Sequence, residues 1–369
     1  MIEQCREPEG RVERGRARRS ACIMTESVDA FMATMLTSSH PVPLEQAVAL
    51  AREHYGLEAE ASRLTGERDE NFRLMRRDGA QYVLKIANAA EHPATSDLPT
   101  AALLHLENSD PELPCPRAVR ARHGRTQVRF EDAAGSERTA RLLTYLPGKL
   151  LASSVRSQRQ RAACGLIGGR LARALRSFEH PAAHRAIIWD VQHAAHMRQL
   201  LEQQPLFRYR SQARDLLERM LPTIEVRLPQ LRRQVVHNDL NPLNILLEPA
   251  DDTRISGIID FGDLTYTAVI ADLAVAAAEL IPPDCRHPAS ARESVHDVAL
   301  AYCESMPLLP EELAMLGTLV AARLLMNIVV HEWHVQNNPS NRHHAALAPD
   351  YVRMRLQIAD RMLLEEFAP

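Results

Sequence analysis

The sequence predicts an α+β chain of two lobes, a small antiparallel-sheet lobe followed by a larger helical one. Three observations carry this. Residues 60–147 hold short alternating apolar and polar runs, "NFRLMRRDGAQYVLKI" among them. From about residue 150, apolar positions recur with a helical period of about 3.6 residues. Inside that helical part lies one β island, residues 234–262, which contains "VVHNDLNPLNILL". A chain of 369 residues, 46% of them hydrophobic, can build two such lobes around a cleft.

The elements follow in order. Residues 1–24 carry six Arg and four Glu in their first twenty positions without periodicity and read as a disordered tail. "MTESVDAFM" at Met24 reads as the better start. "PLEQAVALAREHY" (43–55) predicts a helix, with Pro43 at its first turn and Gly56 just past its end. Asp78-Gly79 predicts a hairpin turn between two strands. "AALLHLEN" (101–108) reads as one short helix. "RAVRARHGRTQVRF" and "RTARLLTYL" supply three more strands, turning at His123-Gly124 and near Gly135. Leu146-Pro147-Gly148 breaks the pattern, so the sheet lobe is expected over 25–146 and the helical lobe over 147–369. Helices are predicted near 155–178, 189–203, 209–221, 267–280, 292–305, 310–336 and 346–366.

Composition narrows the class. Net charge is −3 and the pI is near 6.6, where a nucleic-acid binder would show a basic excess. Cys5, Cys22, Cys115, Cys164, Cys285 and Cys303 form no C-x-x-C pair and read as reduced thiols of a cytoplasmic protein. No apolar signal segment opens the chain. "LGTLVAARLLMNIVV" (316–330) contains Arg323 and Asn327, which predicts a core helix rather than a membrane span. Of the 44 basic residues only Lys85 and Lys149 are lysines, so each raises the question of whether arginine would fail there.

The β island carries the chemistry. Asp239 and Asn244 lie across one loop and Asp260 ends the next strand, so a hairpin is expected to gather all three at one edge. Asn244 and Asp260 can hold a hard cation such as Mg²⁺ through oxygen, with substrate phosphates completing its shell. Asp239 is then free to accept a proton from an attacking hydroxyl.

His237, Asp239 and Asn244, followed by Asp260-Phe261-Gly262, match the H-x-D-x-x-x-x-N and D-F-G signature of the protein-kinase-like fold. Asn241 stands where protein kinases carry lysine, and "DFGDLTYTAVIADLA" runs almost directly into a helix, leaving little room for a peptide-docking segment. The chain therefore resembles the aminoglycoside phosphotransferase family, which includes choline, homoserine and hydroxylysine kinases. Several implications come from that resemblance. Lys85, in "YVLKI", is the lysine of the ATP or GTP phosphates, and Gly66, in "LTGERDENF", belongs to the phosphate-covering turn. Thr144, Tyr145 and Leu146, in "LLTYLPG", form the hinge that meets the purine through backbone groups. His237 and Asp272 support the catalytic loop. The helix glutamate that pairs with the lysine is missing from "SDLPTAALLHL", with Asp97, Glu107 or phosphate alone left to replace it.

"GERDENF", "LTYLPG", Trp189-Asp190 and the chain length resemble most the hydroxylysine kinase branch, implying a small hydroxylated, amine-bearing acceptor. No nucleic acid or membrane partner is expected, and no oligomeric state is assigned. Glu279 and Glu332 are candidate partners for a cationic acceptor by position alone. Aminoglycoside, homoserine or choline phosphotransfer remains open, as does a catalytically silent nucleotide-binding protein. Asp190 reads as a helix N-terminal residue, Lys149 as solvated, and Trp189 and Trp333 as core residues or stacking platforms. His331 and His334 are three apart and lack the spacing of a metalloprotease zinc pair.

Overall fold

The computed structural model describes residues 40–66, 68–337 and 347–367. The tail expected over residues 1–24, and the start at Met24, lie outside them. Helix α1 (Leu44–Leu50) continues as a π-helical turn, Ala51–Tyr55, and stops at Gly56, whose φ of 70° favours glycine. Strands β1 (Ala59–Leu64), β2 (Glu70–Arg76) and β3 (Gln81–Ile86) form a meander, turning at Gly79 (φ 86°) as Asp78-Gly79 predicts. Strands β4 (Ala118–Val119), β5 (Gln127–Glu131) and β6 (Glu137–Thr144) complete an antiparallel sheet of order β1-β2-β3-β6-β4, with β5 also paired to β6. Phe72, Leu74, Leu84, Ile86 and Leu142 are fully buried on one face, each contributing about 2 kcal/mol.

The opposite face carries polar groups. Asn71, Lys85 and Arg141 are successive register partners across β2, β3 and β6. Side chains directly opposite share a face, so the three stand in one row.

Helix α2 (Pro93–Ser109) is far longer than the 101–108 segment the pattern suggests. It starts at Pro93, capped by the His92 ring, and runs through Pro99. An interior proline costs about 3 kcal/mol, so it reads as a boundary. Burial of Leu98, Thr100, Ala102, Leu103 and Leu106 outweighs it.

The helical lobe begins after β7 (Lys149–Leu150) with α3 (Gln158–Ala174), which a Ser157–Gln160 capping box starts. Next come α4 (Met197–Glu202) and α5 (Arg210–Arg227). Residues 189–203 form only a 3₁₀ turn at Val191–His196 before α4, and Asp190 caps it as expected. Helices α6 (Val269–Leu280), α7 (Pro288–Ser305), α8 (Pro310–Leu313), α9 (Leu316–Asn337) and α10 (Pro349–Met362) finish the chain. Glycine lets α3 approach α7: a Cβ at Gly165 or Gly169 would sit 2.3 Å from the Val298 or Tyr302 carbonyl oxygen. Helix α9 is apolar enough to cross a membrane, yet 83% of that stretch is buried in the protein.

The β island differs from expectation in one respect. Strand β8 (Arg233–Val236) pairs not with β9 (Ile245–Glu248) but with β11 (Thr265–Ala268), whose last two residues fall where the helix over 267–280 was expected to begin. Strand β10 (Asp251–Ile258) pairs with β9, and β7 adds to its other edge. Asp260 thus lies two residues beyond a strand rather than ending it. The three polar residues come from the loop between β8 and β9 and the turn after β10, which belong to two small sheets rather than to one hairpin edge.

Candidate active site

The loop 237–244 leaves β8 through Asn238, whose φ of 62° is unfavourable for a side-chain-bearing residue. Asp272 on α6 holds it there, because its Oδ1 accepts from Asn238 N at 2.9 Å. His237 is fully buried, its Nδ1 accepting from Asp239 N at 3.3 Å and its ring meeting Phe261 edge-on at 4.8 Å. Burial pushes the His237 imidazole down to about 4. Burial likewise raises the Asp272 carboxyl to about 6, although the Asn238 amide and the Tyr302 hydroxyl favour its charge.

Asp239 is fixed from three sides. Its Oδ1 accepts from Asn241 Nδ2 at 2.9 Å and its Oδ2 from Asn244 Nδ2 at 2.7 Å. Arg323 Nη2 reaches Oδ1 at 3.4 Å from helix α9. Burial, reinforced by Asp263, pushes the Asp239 carboxyl well above the usual carboxylate range, against the pull of Arg323 and Asn241. A carboxylate so placed has a raised affinity for a proton.

Asp260 has φ 61° and accepts from Lys85 Nζ at 3.0 Å and Gly262 N at 3.3 Å. Lys85, with Arg68 and His237 assisting, holds its carboxyl below the usual range. Its side chain remains 48% exposed toward the cleft. Asp263 pairs with Arg68 of the turn above, and Arg185 donates to the Gly262 and Leu264 carbonyls beneath.

These groups line a cleft of about 550 Å³ that includes Gly66, Lys85, Arg141, Asp239, Asp260 and Asp263. Gly66 belongs there for a steric reason, since a Cβ would sit 2.3 Å from the Asp69 carbonyl oxygen. The hinge is partly committed. Thr144 N donates to Arg117 O, Thr144 Oγ1 accepts from Arg117 N, and Tyr145 N donates to Gln81 O. Of the three residues, Leu146 alone keeps an amide without such a partner among the described residues.

The missing helix glutamate is not replaced by Asp97, which pairs with His180, nor by the exposed Glu107. Lys85 takes Asp260 as its partner instead. Arg141 stands beside it, 3% exposed, with Nη2 donating to Asp69 Oδ2 at 2.7 Å and Nε and Nη1 unpartnered among the described residues. Sequence reasoning did not single out Arg141, and only its register opposite Lys85 could have marked it.

Other candidates resolve simply. Glu279 stands beside Asp239 through Arg323, whereas Glu332 meets Gln336 on its own helix. Trp333 is buried and donates to Gln203, while Trp189 is half-buried with the Arg323 guanidinium 5.3 Å from its ring centroid. Lys149 is exposed on β7. Cys115, Cys164, Cys285 and Cys303 are free thiols.

A six-stranded sheet over a helical lobe, with a polar loop facing a sheet lysine, defines a protein-kinase-like fold. Residues 60–298 match the phosphotransferase enzyme family, and the chain belongs to that family. It is a small-molecule kinase with an alcohol acceptor. It is 27% identical to the hydroxylysine kinase of Mus musculus over 334 residues, covering 83% of this chain and 86% of that one. The Danio rerio hydroxylysine kinase is 26% identical, over 80% and 85% of the two chains. Among solved structures, the fold is shared with an amicoumacin kinase bound to AMP-PNP and Ca²⁺ (TM-score 0.60, 16% identity, 82% of this chain and 88% of that one). It is shared also with a microcompartment-associated aminopropanol kinase (TM-score 0.58, 18% identity, 87% and 95%).

Proposed function

We propose that this chain transfers the terminal phosphoryl group of ATP or GTP to the hydroxyl of an amino alcohol, with 5-hydroxylysine the first acceptor to test. One observation carries the reading: the Asp239 carboxylate, held by Asn241, Asn244 and Arg323, opens into the same cleft as the Lys85–Asp260 pair. The names of the hydroxylysine kinase relatives support the choice of acceptor.

In this mechanism Asp239 orients the acceptor hydroxyl and takes its proton as the new O–P bond forms and the bond to the leaving diphosphate breaks. Lys85 offsets phosphate charge, Gly66 lets the covering turn approach, and the Thr144–Leu146 hinge meets the purine, Leu146 N being the uncommitted donor. The donor set fits Mg²⁺. Asn244 spends its amide hydrogens on Asp239, which leaves Oδ1 for a cation, and the cleft-facing Asp260 carboxylate is the second oxygen ligand. Mg²⁺ there would supply charge neutralisation on the phosphates. His237 and Asp272 act behind the loop, holding Asp239 in place. The lobes divide at residues 146/147. The setting is cytoplasmic, with no nucleic acid or membrane as partner. Lys85 has a carboxylate partner in Asp260 despite the missing helix glutamate, which supports the reading of an active kinase over a silent protein.

The test is nucleoside-diphosphate release with Mg²⁺ and ATP or GTP, across 5-hydroxylysine, ethanolamine, choline, homoserine and several aminoglycosides. Release stimulated by 5-hydroxylysine, and reduced about 10³-fold in Asp239→Asn with nucleotide binding retained, is the expected result. Stimulation by an aminoglycoside or choline alone would replace the acceptor; tight nucleotide binding with no release in any arm would replace the enzyme by a silent protein.

A further inference from the structure

Glu279 is the one residue of α6 that is not buried; the other eleven are. Arg323 Nε and Asn327 Nδ2, both on α9, donate to its Oε1 at 2.9 and 2.8 Å. Its Oε2 has no partner among the described residues, and the side chain is 19% exposed. The carboxylate is therefore held by one oxygen and offers the other.

Arg323 sets where that carboxylate lies. The guanidinium is 3% exposed and every nitrogen is engaged: Nε with Glu279, Nη1 with Trp189 O at 2.8 Å, and Nη2 with Asp239 Oδ1. Nε and Nη2 belong to the same edge of the planar group, the edge that elsewhere in this chain grips a single carboxylate, Asp110, with both nitrogens. Here two different carboxylates share that edge. Their bound oxygens therefore lie roughly 3–5 Å apart, the spacing of two acceptors on one guanidinium fork.

We infer that Glu279 reads the acceptor's ammonium group and that the Arg323 edge fixes its distance from Asp239 to select a 1,2-amino alcohol, with the amine on the carbon next to the hydroxyl carbon. Hydroxyl and amine on adjacent carbons are roughly 3 Å apart, which suits two carboxylates one guanidinium edge apart. An amine several carbons away would not reach Glu279 while its hydroxyl faced Asp239. Three of the five Arg323 N–H groups are already spent on Glu279, Trp189 and Asp239, and the group offered to the acceptor is the free oxygen of Glu279. This inference rests on the proposed phosphotransfer to an amino alcohol and specifies how that acceptor is chosen.

Three acceptors test it on the full-length protein: 5-hydroxylysine, Nα-acetyl-5-hydroxylysine, which keeps the adjacent amine, and 5-hydroxynorleucine, which lacks it. Wild-type kcat/KM is expected to change less than about threefold on acetylation and to fall about 30-fold without the adjacent amine, mostly through KM. In Glu279→Gln the gap between 5-hydroxylysine and 5-hydroxynorleucine should close to within about threefold, while the KM for nucleotide stays put. Glu279→Asp keeps the charge one methylene back and should retain part of the gap. A gap that persists in Glu279→Gln, or equal use of the two acceptors by wild type, overturns the inference while leaving the kinase reading intact. No turnover of 5-hydroxylysine by wild type overturns the inference together with the choice of 5-hydroxylysine as acceptor, whereas the kinase reading falls only if no acceptor of the panel is used. The wild-type comparison decides even if a variant fails to fold.

Discussion

The two sides of the cleft are built differently. On the side proposed for the nucleotide, Lys85 comes from the sheet and Asp260 from the turn after β10, and their 3.0 Å contact joins the lobes. Lys85, Arg141 and Asp260 come from strands and a tight turn, with an unfavourable φ of 61° at Asp260. On the side proposed for the acceptor, Asp239 is likewise on a loop, but its neighbours Arg323 and, through it, Glu279 and Asn327 come from two helices. A chemistry common to many kinases needs fixed spacing along the chain, which loops and turns encode. Choice of acceptor needs side chains that can vary independently, which helix faces provide.

The comparison breaks most sharply at Lys85. Lys85→Met removes a buried cation from the phosphates and is expected to lower kcat/KM for nucleotide about 10³-fold while acceptor KM changes little. Lys85→Arg keeps the charge but not the compact ammonium, and a loss of about 100-fold is expected from steady-state kinetics. Activity near wild type in Lys85→Arg would mean that charge alone matters there and that the scarcity of lysine in the chain carries no message.

A smaller effect sharpens the comparison from behind the loop. The His237 imidazole is depressed in the fold, so its contribution to stability is present above its unfolded value near 6.5 and is lost as pH falls toward about 4. The Asp272 carboxyl is raised, so its contribution is present at low pH and is lost as pH rises through about 6. Between pH 4 and 6 the two oppose each other. Relative to wild type, urea unfolding of Asp272→Asn should therefore show about 1 kcal/mol less stability at pH 5 than at pH 8, and that of His237→Gln about 2 kcal/mol more. Parallel pH profiles in the two variants would refute the opposed pair.

The same division decides what the sequence made legible. The β2–β3 hairpin, the hinge and the polar loop are local patterns, written in residues a few positions apart. The acceptor side is not local: Asp239, Glu279 and Arg323 are brought together only when α6 and α9 pack on the loop. Arg323 and Asn327 did leave a trace, as polar interruptions of an apolar helix, but a charge in such a helix says only that a partner exists. Helix α2 hid its first turns for a different reason, because burial of Leu98 and its neighbours overrides what Pro99 signals locally. Strand β8 paired past its sequence neighbour, since nothing in "RQVV" distinguishes β9 from β11 as its partner.

The central claim is that phosphate passes to the acceptor hydroxyl, and the most direct measurement is phosphorus NMR of the product formed from ATP and 5-hydroxylysine. A phosphomonoester resonance coupled to a single carbinol proton, growing in step with ADP and absent with Asp239→Asn, is the predicted result. ADP formed with only inorganic phosphate, or with phosphate on the protein itself, would contradict the account.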